Sequence, residues 1–511
     1  MRLKKLIKIF FVSVFSILAL LIVFGVFKIK SETKQLSGKN TGTIDPSKYE
    51  YLEGKIAIIS ANVLSPDAEK MIPNQTILIE GNTIKEIGDS ISIPSDYQRI
   101  DAKGEYVIPG LNDTHVHSYQ SKNDLLLYLA NGITNIAMMN SWKGTYLEWR
   151  KEAERENILR PKMYIAAGPL NTRKGTKNRI RSWFEPIPIY NSTSEARKAV
   201  KDFKEQGYDA LKAYTLQRDI YFAIADEAKK VGIEMVGHLT PYASLDDLYK
   251  SGQSQVAHVE ELTKAVQREF GGSPYIYFDN IEPYLDFLRG RADSIAIRLK
   301  ENDIAISTTL VVLSSILQQD VALPDYLKSI ELEYVNPGIL EGSVFNPGWL
   351  PGSNKYENPN NSDTEGIKKA KLYWGTYEEA ANIMTRALAR NGVLLTSGTD
   401  AGNPGIVPGF SLHEELRLLT KIGLSNSEVL RIATQNGSDW MGMNTGKIEK
   451  GRIADLVILK GNPLNDINNT KTIQSVMVDG KLLKKVEIQK ILQDIIRANN
   501  SSRKLSIEKY L

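Results

Sequence analysis

The chain has 511 residues, a formal net charge of +4 and no cysteine. That length allows one large barrel with an accessory domain, and the apolar and charged fractions of 42% and 24% suffice for a sizeable core. The small net charge gives no footing for a nucleic-acid partner. The missing cysteines exclude disulfides, thiolate metal sites, a Cys nucleophile and a lipidated-cysteine anchor, so any metal must be held by nitrogen and oxygen.

Phe10 to Phe27 carries no charge, and Leu6, Ile7 and Ile9 extend the apolar run. At ~1.5 Å per residue, about 20 residues span a ~30 Å hydrocarbon core. Gly25-Val26-Phe27-Lys28 offers no small-residue cleavage site, so residues 1–30 read as an uncleaved, single-pass signal anchor. Basic residues flank both ends (Arg2, Lys4, Lys5, Lys8; Lys28, Lys30, Lys34, Lys39), leaving the positive-inside count tied. The short basic tail resembles a signal sequence and places the N-terminus in the cytoplasm and the main body outside. Residues 31–52, polar and without apolar periodicity, read as a flexible tether.

From Gly54, short β-like runs punctuated by Asn and Gly follow (Ile56–Ile59, Thr76–Ile79, Thr83–Ile87, Tyr106–Ile108). They form the first part, 53–108, of a small β-domain. Over 109–445 the texture becomes helix, Gly, apolar strand, several times over. Examples are Glu195–Gln206, Gly207, Ala210–Tyr214 and then Ile220–Val231, Gly232, Glu234–Leu239. This repetition predicts a parallel sheet and an α/β fold, a TIM-like (β/α)8 barrel. Leu310 to Tyr377 reads as a long irregular insertion rich in Pro, Gly and Asn, either a lid or pocket wall or a surface excursion. β texture returns over 446–485 and completes a composite β-sandwich with the N-terminal runs. In 486–511, Val486, Ile488, Ile491, Leu492, Ile495 and Ile496 define one face of a C-terminal structural helix.

Val107-Ile108-Pro109-Gly110-Leu111-Asn112-Asp113-Thr114-His115-Val116-His117 ends the first strand of the repeat. Residues i and i+2 of a strand share a face, so both imidazoles can reach one metal ion; two polar residues on a wet strand face are the plain alternative. Barrel enzymes carry their chemistry at the C-terminal ends of strands. Lys212, His238, His258 and Asp400 also fall at strand ends, where a single His is otherwise an ordinary core residue.

The motif Val107–His117, the strand-end Lys212, the two single histidines and Thr399-Asp400 together resemble the amidohydrolase superfamily. Leu412-His413-Glu414-Glu415-Leu416, Gly446-x-Ile448-x-x-Gly451-x-x-Ala454-Asp455-Leu456-Val457 and Gly461-Asn462-Pro463-Leu464 are similar to its imidazolonepropionase-like branch, which includes Xaa-Pro dipeptidase-like members. The resemblance implies two divalent ions, zinc by default and manganese or iron otherwise. It implies that His115, His117 and Asp400 bind the more buried ion and His238 and His258 the second. Lys212, carboxylated by CO2, would bridge them as a carbamate, and Asp400 would move the proton from a bridging hydroxide to the leaving nitrogen. Ala137-Met138-Met139-Asn140 departs from the Arg-Asp pair of many relatives. Tyr214 shares a strand face with Lys212 and is a candidate substrate contact. His413 reads equally as a substrate contact or a plain helix residue. The basic loop Arg173–Arg181 either attracts an anionic substrate or is simply solvated.

The expected function is hydrolysis of a non-peptide or cyclic C–N bond in a small molecule by a membrane-tethered metal enzyme. An Xaa-Pro-type dipeptidase is the nearest alternative, and deamination a third. An inactive, membrane-anchored binding protein is the rival of another class; its signature, a lost ligand, is absent from the six positions. Homo-oligomerisation is left open.

Overall fold

In the computed structural model, residues 2–511 are described except 37, 120, 142, 157, 173–188, 272–279, 344–346 and 359–363. The chain opens with a 35-residue helix, Arg2–Leu36. Its segment Phe10–Lys28 has a mean hydropathy of 2.8, and none of it is buried against the rest of the chain. Bare apolar surface is unfavourable in water by ~25 cal/mol per Å2, so this helix calls for an apolar surrounding that the chain does not provide.

The flexible tether expected at 31–52 is corrected. The helix continues to Leu36, and from Thr41 the chain lies against the body, with Ile44 and Tyr49 buried. Asn123 clamps it, donating to the Gly42 carbonyl and accepting from the Ile44 N–H, each at 3.0 Å. The Tyr49 hydroxyl donates to Asp494 at 2.9 Å. Isolated apolar anchors in a polar stretch make no period, so this docking left no pattern in the sequence.

Sixteen strands are described: β1 (Lys55–Leu64), β2 (Met71–Glu80), β3 (Thr83–Gly88), β4 (Gln98–Asp101), β5 (Tyr106–Pro109), β6 (Leu111–Val116), β7 (Ile133–Ser141), β8 (Lys162–Leu170), β9 (Ala210–Ala213), β10 (Glu234–Gly237), β11 (Gln255–Ala257), β12 (Ala305–Ser307), β13 (Leu395–Thr396), β14 (Leu456–Leu459), β15 (Ile473–Val478) and β16 (Lys481–Lys484). The first five and last three form one sheet in the order β16-β15-β14-β5-β1-β2-β3, with β4 on β1. β14 runs antiparallel to β5, pairing Val457 with Ile108 and Ile458 with Val107, so distant parts of the chain share a ladder. Period-two alternation gathers Ile56, Ile58, Ile77, Ile79, Val107 and Ile458 into one core. The expected sandwich is instead a single hydrogen-bonded sheet that curls: Ile84 of β3 donates to Arg452 and accepts from Gly451, beside the entry to β14.

β6 to β10 form a five-stranded parallel sheet and β11 to β13 a three-stranded one. β9 and β11 are buried at every position, as strands covered on both faces must be. Backbone bonds cross both gaps. Ser254, before β11, donates to Met235 of β10 at 2.8 Å, and Thr114 of β6 donates to Ser397, just past β13, at 2.8 Å. The helices between are amphipathic: Thr193–Gln206 buries Ala196, Val200 and Phe203, starts on the Ser192 cap and stops at left-handed Gly207.

The Leu310–Tyr377 insertion is not irregular. It holds the helices Leu310–Lys328 and Pro337–Glu341 and the first half of Thr364–Arg390. Asn336 caps the second of these helices with Pro337-Gly338 as its first residues, and Pro351-Gly352 is a turn; the helices pack around Leu323, Leu327, Leu340 and Trp349. The C-terminal helix runs Lys485–Ser502 and leaves Val486 exposed; the tail beyond folds onto the insertion and buries Ile507 and Tyr510.

Candidate metal centre

All six residues of β6 are buried, and the strand delivers His115 and, one step past its end, His117, with ring centroids 5.3 Å apart. Pro109-Gly110 sets the approach: a Cβ on Gly110 would lie 2.1 Å from the Thr134 hydroxyl oxygen. Across the ring, Asp113 accepts from the Thr399 N–H at 3.0 Å and its hydroxyl at 2.6 Å. This fixes the peptide that carries Asp400, a residue in the left-handed region at φ 57°. Asp400 Oδ1 lies 2.9 Å from His117 Nε2 and 3.4 Å from His115 Nε2. His258 stands 4.5 Å from the His115 ring and 4.8 Å from that of His238.

Lys212 Nζ reaches the same point, 3.0 Å from His115 Nε2. Its path is carved by the neighbouring strands. A Cβ on Gly168 of β8 would sit 3.0 Å from the Lys212 Cβ, and one on Gly237 of β10 would sit 2.8 Å from its Cγ. Side chains at either position would close the channel that the lysine occupies.

Burial and mutual proximity set the protonation of these groups. Burial and the Lys212 charge hold His115 well below the usual imidazole range, and burial takes His258 to about 3, so both rings are neutral near pH 7. Burial alone would raise Asp400, but His258, His117 and His115 outweigh it and hold the carboxyl well below its ordinary value. A neutral imidazole nitrogen and a carboxylate at 2.9 Å are both acceptors unless a proton or a cation lies between them. The Nδ1 atoms of His115 and His117 are buried without a hydrogen-bond partner, and ligating atoms of His115, His258 and Asp400 all fall within 4.8 Å of one another. This donor set fits a divalent ion. Lys212, which burial lowers to about 8, ligates only after losing its ammonium character.

The remaining rings are oriented from behind. Glu261 Oε1 lies 3.2 Å from His238 Nδ1 and 3.1 Å from Lys264 Nζ, and Thr309 Oγ1 lies 2.9 Å from His258 Nδ1. Such partners fix a tautomer and aim the other nitrogen at a metal. The residues open into a cavity of about 580 Å3. Tyr214 forms its wall, edge-on to His238 at 4.4 Å. Asn140 also lines it, where the Arg-Asp pair is missing.

His413 is not part of this cavity. It is buried in Phe410–Lys421 with Nδ1 2.9 Å from Thr470 Oγ1, because the helix turns that face toward the C-terminal segment. The basic loop at 173–181 lies outside the described residues. Sequence reasoning missed Glu260, Glu261 and Lys264, although they follow His258 directly on the helix Glu260–Glu269. It also missed Tyr373, Trp374 and Tyr377, whose spacing puts them on one helical face once the insertion is known to be helical.

Residues 106–483 match the family model described as Amidohydrolase family, and the chain belongs to that family of enzymes. It is 23% identical over 466 residues to the 5'-deoxyadenosine deaminase of Methanosphaera stadtmanae, covering 86% of this chain and 94% of the relative. Among solved structures it is similar to bottromycin amidohydrolase, with a TM-score of 0.64 at 20% identity over 87% of this chain and 90% of the other. A Xaa-Pro dipeptidase with bound methionine gives a TM-score of 0.60 at 17% identity, over 84% and 100%. The two structural likenesses establish the fold.

Proposed function

We propose that the protein is a metal-dependent amidohydrolase that cleaves a non-peptide or cyclic amide bond in a small molecule. The observation that carries this reading is Lys212, a lysine with 2% exposure whose Nζ lies 3.0 Å from His115 Nε2. His115, His117 and Asp400 would hold one divalent ion and His238 and His258 a second, with Lys212 as its CO2 adduct between them. Zinc suits this nitrogen-rich set best. When bound, such a pair supplies a hydroxide nucleophile at neutral pH and polarises the scissile carbonyl.

The chain's own residues do the rest. The Lys212 amine, neutral in part because burial lowers its ammonium to about 8, would add to CO2: its lone pair forms the N–C bond as one C=O π pair moves onto oxygen, and the N–H proton passes to water. Glu261 and Thr309 hold His238 and His258 with the second nitrogen turned to the cavity. Asp400, beside both rings of the His-x-His pair, takes a proton from the attacking water and returns it to the leaving nitrogen. Tyr214 and the insertion's Tyr356, Tyr373 and Trp374 line the cavity beside these residues.

The bonds across both gaps support reading the two parallel sheets as one closed (β/α)8 barrel over 109–445, beside the β-domain of 53–108 and 446–485. The bare apolar helix supports a single-pass signal anchor with the catalytic body outside the cytoplasm. Deamination is a second reading, favoured by the name of the relative from Methanosphaera stadtmanae. Lys212 weighs against it, since a bridged two-metal site suits amide hydrolysis better. A Xaa-Pro-type dipeptidase uses the same chemistry. The test is a turnover screen of zinc-loaded full chain in detergent against small amides, lactams, dipeptides and aminopurines. Amide or lactam cleavage is expected; ammonia release from aminopurines alone favours deamination, and no turnover at all favours an anchored binding protein.

A further inference from the structure

Glu260 stands in the catalytic cavity with an oxygen that nothing in the described structure uses. It opens the helix Glu260–Glu269, two residues past His258, and is 9% exposed. Its Oε2 is buried without a hydrogen-bond partner, while Oε1 lies 3.7 Å from Lys264 Nζ. That lysine is nearer to Glu261, at 3.1 Å, and Glu261 also serves His238. Two buried carboxylates thus share one lysine on this wall of the cavity among the described residues. Leaving a buried carboxylate oxygen unpaired costs free energy, which a cation placed against it would offset.

Aromatic side chains line the same cavity, as do Lys264 and Lys355, the latter over the Tyr356 ring at 4.6 Å. The helix Thr364–Arg390 packs on Glu260–Glu269 and brings Tyr373, Trp374 and Tyr377 to the cavity, with Tyr356 beside them. The Tyr373 and Tyr377 rings are 5.2 Å apart, and Trp374 and Tyr377 5.8 Å. A carboxylate at the edge of a cluster of electron-rich rings is an environment that selects an ammonium over a neutral or anionic group.

We propose that Glu260 is a specificity-determining residue that receives a protonated amine carried by the amide substrate, with the Tyr373–Trp374–Tyr377 rings as the walls of the ammonium subsite. This deepens the amidohydrolase reading and rests on it. The substrate class it names is a small non-peptide amide or lactam that carries a free ammonium group near the scissile bond.

Binding of benzylammonium and of benzyl alcohol to the metal-loaded full chain, measured by calorimetry at pH 7 for the natural protein and for Glu260→Gln, tests the subsite without requiring turnover. The expected result is at least a tenfold preference for the ammonium in the natural protein. In Glu260→Gln that preference disappears, with metal content, melting temperature and benzyl alcohol affinity unchanged. Equal affinities in the natural protein, or a preference that survives in Glu260→Gln, would overturn the proposal. Loss of metal in Glu260→Gln would also overturn it, because the carboxylate would then be a ligand. Turnover of acetanilide, an uncharged amide, without any ammonium preference would sink this inference and leave the amidohydrolase reading standing.

Discussion

Lys212 Nζ and His115 Nε2 meet at 3.0 Å inside the protein, with both side chains all but sealed from solvent. An ammonium there repels any cation the histidines attract, whereas a carbamate supplies two anionic oxygens. Lys212→Ala should therefore lose bound metal and at least 100-fold in activity. Bicarbonate with a short-chain carboxylic acid should restore part of the activity by filling the bridge position. Full activity in Lys212→Ala removes the bridge from the mechanism.

The lysine needs its channel. Gly237 has φ +103°, and a Cβ there would lie 2.5 Å from the Ala213 carbonyl and 2.8 Å from the Lys212 Cγ. Gly237→Ala should destabilise the fold by about 2–4 kcal/mol through backbone strain and overpacking. Activity should fall further than stability explains, because Lys212 is displaced. Urea melts and turnover at saturating metal check both; a neutral substitution contradicts the packing argument.

Asp124 offers a pH test away from the metal ligands. Burial lifts its carboxyl to about 7, while Oδ1 accepts from Ser121 at 2.9 Å and Oδ2 is unpartnered. In the unfolded chain the group ionises near pH ~4. The folded state therefore keeps a proton that the unfolded state has lost, so this group's contribution falls as pH rises from ~4 to ~7. Asp124→Asn should match the natural protein near pH 4 and exceed it by about 1–3 kcal/mol at pH 8. Melts at the two pH values measure the difference; an equal effect at both would show that ionisation is not its source.

The proposed anchor and the docked segment after it separate by truncation. Removal of residues 1–36 should release the protein from carbonate-washed membranes with its melting temperature intact. Removal of residues 1–50 also deletes buried Ile44 and Tyr49 and the Asn123 clamp, and should lower stability by about 2–4 kcal/mol. Retention of the shorter truncation in the membrane contradicts the anchor.

The residues that converge on the candidate site were legible because they obey local rules. His115 and His117 are two apart in sequence at the end of a strand, and Lys212, His238, His258 and Asp400 each lie at or just past a buried parallel strand. The strands of the β-domain were legible as texture, but the pairing of Val457 with Ile108 depends on a contact between distant parts of the chain. His413 was ambiguous because spacing does not tell which helix face turns to a cavity; here it turns to Thr470. In the insertion, Leu350-Pro351-Gly352 is a turn but Asn336-Pro337-Gly338 caps and opens a helix, and this Pro-Gly composition hid the helices around them, Thr364–Arg390 included. With those helices unseen, Glu260 had no aromatic wall to give it meaning.

The most direct test is the metal content of the full chain after mild purification in detergent, by elemental analysis per polypeptide. Close to two equivalents of a divalent ion, zinc foremost, is the expected result, falling on Lys212→Ala substitution. Fewer than about half an equivalent, with no uptake on addition of zinc and bicarbonate, would contradict a metal-dependent hydrolase at this site.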